Sequence, residues 1–143
     1  GGNVPTVDLA TAPKLFAALH AAIAKGLVRA CHDLSEGGLA VAAAEMAFAG
    51  ALGLRLDLSL APRTPGLDDD AMLLFAESPS RFLAEVRPGD APAFEAALAG
   101  LPYARAGEVS AAAELVIDGT NGGEALRADI AELKAAWQST PVV

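Results

Sequence analysis

Leu54-Arg55-Leu56-Asp57-Leu58-Ser59-Leu60 alternates apolar and polar residues without a miss. A period of two over that length predicts a strand with four leucines on one face. A different period governs the N-terminal part. Leu15, Leu19 and Ile23 recur every four residues with Phe16 beside them. A helix is therefore expected from Thr11 to a stop at Gly26, with Pro13 tolerated in its first turn. His20 falls inside it and reads as a partly exposed structural histidine. The apolar run Leu27-Val28-Arg29-Ala30-Cys31 reads as a buried strand. An alanine-rich helix follows through Val41, Ala44, Met46 and Phe48, closed by a turn between Gly50 and Gly53.

Beyond the alternating strand, Pro62, Pro65 and Gly66 mark a loop. Asp68-Asp69-Asp70 ends it, and is read as a solvated loop or a cap for the segment from Ala71 rather than a metal site. Met72-Leu73-Leu74-Phe75-Ala76 and Arg81-Phe82-Leu83-Ala84-Glu85-Val86 are expected as strands joined by Glu77-Ser78-Pro79-Ser80. Asp90 and Pro92 open a helix through Phe94 and Leu98 that stops at Gly100. Ala104 to Val109, interrupted by Gly107, and Glu114 to Ile117 are further strands. The glycine-rich stretch from Asp118 to Gly123 reads as a turn. Asp129 and Glu132 form a capping pair for a last helix through Leu133 and Trp137. Hairpins and crossovers alternate unevenly, which predicts an α+β layered sandwich: a mixed, mostly antiparallel sheet covered by helices.

Composition narrows the class. The 143 residues suit one domain with a real core, and much of the 53% apolar content is alanine, so helices should pack closely. The net charge of −8 argues against a nucleic-acid partner, because phosphate neutralisation needs clustered Lys and Arg. Apolar runs are too short and broken for a membrane span or signal peptide. The one cysteine, Cys31, cannot form an internal disulfide, which fits a reducing cytoplasm, and it is expected to be a small buried side chain. The Gly1-Gly2 start reads as a fragment cut from a longer chain.

The chemistry concentrates in His32-Asp33-Leu34-Ser35-Glu36-Gly37-Gly38-Leu39-Ala40, placed where a strand ends and a helix begins. The unpaired N–H groups and positive dipole of a helix start favour an anion there. Asp33 is a hard oxygen donor suited to magnesium, and Ser35 suits either a helix cap or a phosphate contact. Gly37 and Gly38 occupy a first turn that helix propensity would not give to glycine. Close approach of a ligand or a neighbouring segment is the expected reason. Both Asp33 and Ser35 would serve equally as caps on residue type alone. His32 is expected to bond a backbone carbonyl and is assigned no catalysis.

The stretch HDLSEGGLAVAAAEMAFAG resembles the signature of the C-terminal domain of the phosphoribosylformylglycinamidine synthase family. Looser versions occur in aminoimidazole ribonucleotide synthetase, a hydrogenase maturation protein and selenophosphate synthetase. LFAESPSRF favours the purine family, and the resemblance runs from Val7-Asp8-Leu9 to the Leu133–Trp137 stretch. It implies a layered, partly ferredoxin-like arrangement, forming a single C-terminal domain over residues 1–143. It implies an ATP- and magnesium-dependent ligase that makes an amidine from formylglycinamide ribonucleotide with ammonia from a glutaminase. By the same resemblance Asp33 matches a magnesium ligand, Ser35, Gly37 and Gly38 line the nucleotide, and Glu77, Ser78 and Arg81 form a substrate-loop candidate. For that last loop a polar turn with a surface ion pair is an equal reading. The implied partners are the N-terminal nucleotide-binding domain of the same chain and a glutaminase domain or subunit, with self-association of the isolated piece. The competing class is a non-catalytic interaction domain that has lost nucleotide contact.

Overall fold

A computed structural model describes residues 4–139; the Gly1-Gly2 start lies outside them. The Asp8 carboxylate accepts the N–H groups of Ala10 and Thr11 at 2.8 and 3.3 Å, and so turns the chain into helix α1, Ala12–Ala24. Leu19 and Ala22 are buried, but Phe16 and Ile23 are 47% and 48% exposed, so the expected stripe is covered only in part. The helix leaves through a Schellman motif. The Gly26 N–H reaches the Ile23 carbonyl and the Leu27 N–H the Ala22 carbonyl, at 2.9 and 3.1 Å. That exit consumes Leu27, so strand β1 spans Ala30–Asp33, later than the apolar run predicts.

Helix α2, Gly38–Gly50, carries a single charge, Glu45, and buries Leu39 and five alanines, which makes it the central element of the core. Strand β2 is Gly53–Asp57. The alternating pattern overshoots here. The Asp57 carboxylate accepts the Ser59 N–H at 2.8 Å and starts a 3-10 turn over Leu58–Leu60, leaving Leu60 52% exposed.

The expected strand Met72–Ala76 is instead helix α3, Asp70–Phe75. Asp69 caps it by accepting the Met72 N–H at 3.0 Å, and Met and Leu are good helix formers, so local propensity decides the short apolar run. The segment from 77 to 80 therefore joins a helix to a strand and is no hairpin. Strand β3, Phe82–Glu85, pairs antiparallel with β1, with Asp33 opposite Phe82. Helix α4 is Ala91–Ala97, and strands β4 and β5 are Gly107–Ser110 and Glu114–Asp118. Gly107 begins its strand rather than interrupting it, because a Cβ there would lie 1.9 Å from the Arg55 carbonyl oxygen.

Strand β6, Glu124–Asp129, goes unseen in the sequence pattern, since Leu126 is its one large apolar residue and Arg127 pairs with Glu114 and Glu124 across its exposed face. Asp129 then accepts the N–H groups of Ala131 and Glu132 at 2.7 and 3.1 Å and opens helix α5, Ile130–Gln138. The second sheet has the order β4-β2-β5-β6; β2 and β5 run parallel and the other pairs antiparallel. The mixed, mostly antiparallel sheet of the α+β reading is present, joined by a separate two-stranded sheet. Leu56, Leu58, Leu73, Leu74, Leu115 and Ile117 pack on α2 to form the core. Among the described residues no helix is long and apolar enough to cross a membrane.

Candidate functional site

The end of β1, the start of α2 and the loop from α3 to β3 meet at one place. The Leu34 N–H donates to the Arg81 carbonyl at 3.0 Å, and the Gly37 N–H donates to Glu77 Oε1 at 2.9 Å. The two candidate patches, 33–38 and 77–81, are thus one surface, although forty positions separate Gly37 from Glu77.

Gly37 holds the N-cap position with φ +76°, and no side chain of its own segment caps the helix. Ser35 is exposed and does not cap; its carbonyl accepts the Gly38 N–H at 3.0 Å, forming the turn into α2. Glu77 supplies the anion that the helix start favours. Gly38, at φ +63°, lies so close to the end of α3 that a Cβ would meet the carbonyl oxygens of Leu74 and Ala76 at 2.7 and 2.8 Å. The neighbouring segment is thus sufficient reason for this glycine.

Asp33 is exposed, with 63% of its side chain open to solvent. Its carboxylate fits one place in the oxygen shell of magnesium. Among the described residues no group of three or more His, Cys, Asp or Glu gathers to complete such a shell. The acidic run Asp68–Asp70 is engaged elsewhere: Asp68 with Arg63, Asp69 in its cap, and Asp70 with the Thr120 N–H and hydroxyl at 2.9 and 2.8 Å.

His32 bonds the Asp33 carbonyl through Nδ1 at 2.7 Å, and its Nε2 lies 2.7 Å from Glu45 Oε2. A carbonyl and a carboxylate both accept, so both ring nitrogens donate and the ring is an imidazolium. The Asp33 carbonyl, then Glu45, hold its pKa above the ordinary histidine value. Glu45 Oε1 accepts the indole N–H of Trp137 at 2.9 Å, which brings α5 into the network. Neither Glu45 nor Trp137 is singled out by motif reading. The available signals were a lone charge in an otherwise apolar helix and the single tryptophan of the chain.

In the second loop, Glu77 and Arg81 form no ion pair, against the polar-turn reading. The Arg81 guanidinium donates to the Ala76 carbonyl at 3.1 Å, and burial pushes its pKa down. Ser78 is half-buried. Ser80 adopts φ +64°, and its buried hydroxyl has no hydrogen-bond partner among the described residues. Cys31 is exposed, not buried as expected, because successive β1 side chains alternate sides. Its desolvated surroundings, then Asp33, push the thiol pKa up, which disfavours a reactive thiolate. His20 is exposed, as its place on α1 requires.

Behind the site an apolar cavity of about 230 Å³ lies between α2, α5 and the larger sheet, with Glu45 as its one charged lining residue. A polar hollow of about 300 Å³ at the far side contains Arg55 and Arg105, whose charges are already paired with Asp118 and Glu95.

Residues 1–119 match the family described as AIR synthase related protein, C-terminal domain. The phosphoribosylformylglycinamidine synthase subunit PurL of Deinococcus radiodurans is 41% identical over 137 residues, which are 96% of this chain and 18% of that protein. PurL of Allorhizobium ampelinum is 44% identical over 121 residues, covering 82% of this chain and 15% of its own. The chain therefore spans less than a fifth of these relatives' length. Among solved structures, Thermotoga maritima PurL complexed with FGAR superposes with a TM-score of 0.79 at 22% identity, over 91% of this chain and 22% of that one. A hydrogenase maturation protein HypE superposes with a TM-score of 0.65 at 18% identity, over 77% of this chain and 40% of its own. These two superpositions speak for a shared fold. The family match covers the β1–α2 motif, both candidate loops and most of the larger sheet, and the chain belongs to the AIR synthase related family as its C-terminal domain.

Proposed function

We propose that the chain is the C-terminal domain of a phosphoribosylformylglycinamidine synthase, an ATP-dependent carbon–nitrogen ligase. The observation that carries this reading is the 41% identity to a PurL subunit along 137 residues, through the His32–Gly38 motif. In that reaction ATP phosphorylates the amide oxygen of formylglycinamide ribonucleotide. Ammonia from a glutaminase then displaces phosphate and leaves the amidine, which demands charge neutralisation and a dry site. Asp33 supplies one oxygen to magnesium, with the other ligands coming from the preceding nucleotide-binding domain. Magnesium, when bound, offsets the phosphate charge. Ser35, Gly37 and Gly38 border the nucleotide, and Glu77, Ser78 and Arg81 face the substrate. The reaction belongs in the cytoplasm, where one exposed, unpaired thiol suits a reducing medium.

The purified full-length gene product should form the amidine only with ATP, magnesium and ammonia or glutamine together. The isolated domain should form none, because it holds too few ligands to position both substrates. Full-length protein that binds neither ATP nor the ribonucleotide would sink the reading.

A second reading, a non-catalytic interaction domain, is favoured by one observation. The Glu77 carboxylate already takes the Gly37 N–H, where a phosphate would otherwise sit. Magnesium-dependent nucleotide binding by the full-length protein, lost when Asp33 is changed, separates the two.

A further inference from the structure

We propose that Glu45 is a positioning residue for Asp33, acting through His32 and braced by Trp137. The proposal rests on the reading above, in which the Asp33 carboxylate meets the metal-bound nucleotide.

The Asp33–Leu34 peptide is held at both ends. Its carbonyl accepts from His32 Nδ1 at 2.7 Å, and its N–H donates to the Arg81 carbonyl at 3.0 Å. The second bond comes from a backbone group, and the first depends on the angle of a side-chain ring. An imidazole free at Nε2 could rotate away. Here Nε2 lies 2.7 Å from Glu45 Oε2, on the helix that follows the motif. Glu45 in turn is fixed by its other oxygen, which accepts the Trp137 indole N–H at 2.9 Å, while the indole packs on Phe48 with ring centroids 5.6 Å apart. Every polar atom along this line has one partner of the right type. The exposed Asp33 carboxylate thus hangs from a peptide whose plane is set by α2 and α5. A carboxylate–imidazole pair behind a metal-site residue is a recurrent means of orientation, and loss of such a partner typically costs tenfold or more in affinity.

The chemistry also explains why α2 keeps one charge. An apolar residue at position 45 would suit the cavity that Glu45 lines beside Ala44, Phe48 and Leu133. A carboxylate there is useful because it offers two acceptors, one to each neighbour. Glutamine can keep both bonds: its oxygen accepts from Trp137, and its amide donates to Nε2 of a neutral ring whose Nδ1 still donates to Asp33.

The test is a double-mutant cycle in the full-length protein, with magnesium-ADP as the probe and binding read by calorimetry. Glu45→Ala should weaken binding about tenfold, and Glu45→Gln should restore it to within about twofold. Combined with Asp33→Asn, Glu45→Ala should add less than about twofold, because a residue acting only through Asp33 has nothing left to position. A general structural weakening would instead add to the Asp33→Asn loss. The near-ultraviolet circular dichroism of Trp137 should change in Glu45→Ala and persist in Glu45→Gln. Should Glu45→Ala fail to fold, Trp137→Phe removes only the indole N–H and enters the same cycle, with a loss of about threefold expected. Additive losses, or unchanged affinity in Glu45→Ala while Asp33→Asn is impaired, would overturn the proposal alone. Unchanged affinity in Asp33→Asn itself would remove the underlying functional reading and the proposal with it.

Discussion

Glu77 Oε1 accepts the N–H of Gly37 at 2.9 Å, so a residue from one loop caps the helix that starts in another. The capping interaction is charge-assisted and placed at the positive end of α2. Glu77→Ala should destabilise the domain by about 1 kcal/mol, and Glu77→Gln, which keeps an acceptor, by roughly half of that. Urea unfolding monitored by circular dichroism measures both. Equal stability of wild type and Glu77→Ala would mean that water caps α2 as well as Glu77 does.

Asp70 offers a pH-dependent counterpart. Its carboxylate accepts the Thr120 N–H and hydroxyl, and these bonds, the N–H first, hold its pKa below the ordinary value of 3.8. The folded pKa lies below the unfolded one, so the ionised group favours folding above 3.8. That contribution is lost as pH falls through the depressed folded value. The stability difference between wild type and Asp70→Asn should therefore be largest at neutral pH and shrink on acidification. A difference that is flat with pH would show that Thr120 gives the charge no advantage.

The sequence was most legible where a single physical signal dominated. Pro13 and Gly26 bracket α1, and Asp129 marks the start of α5, because caps and breakers act locally. It misled where an apolar run was short. Met72–Ala76 reads as a strand, but the Asp69 cap two residues before Ala71 makes it helical. The β6 strand was invisible because cross-strand ion pairs, not an alternating apolar face, cover it. In the site, the motif led to Asp33 and Gly38 directly. Glu77 and Glu45 reach it from other segments, and pairing across forty or ninety positions leaves no mark in a local pattern.

Apolar side chains left open on α1 and β3 lead to a third expectation. Phe16 and Phe82 meet edge to face at 5.8 Å, yet remain 47% and 36% exposed, and Ile23 lies open on the same helix as Phe16. A domain separated from the rest of a longer chain exposes the area its neighbour covers. The isolated domain should self-associate, and Phe16→Gln with Phe82→Gln should reduce association without lowering helix content. Sedimentation velocity over a concentration series reports this. A strictly monomeric wild-type domain would show that this aromatic pair is ordinary surface.

Asp33→Asn tests the site most directly. Asparagine keeps the size of the side chain, and the Asp33 side chain makes no hydrogen bond among the described residues that the change would break; the 2.7 Å bond to His32 uses the backbone carbonyl. The melting temperature without ligand should therefore move little. What disappears is the negative charge, and with it the hard anionic oxygen that magnesium prefers to a neutral amide. In the full-length protein, magnesium-nucleotide affinity should fall at least about tenfold, equivalent to about 1.4 kcal/mol. Nucleotide binding measured without magnesium should change much less, because the phosphates then lose only an unfavourable carboxylate neighbour. If the bound nucleotide serves stability rather than turnover, the same change should lower the melting temperature of the nucleotide-loaded protein and leave the rate of amidine formation near normal. Equal magnesium-nucleotide affinity and equal loaded-state stability in the variant would reduce Asp33 to an exposed residue at a strand end, and the metal assignment would fall.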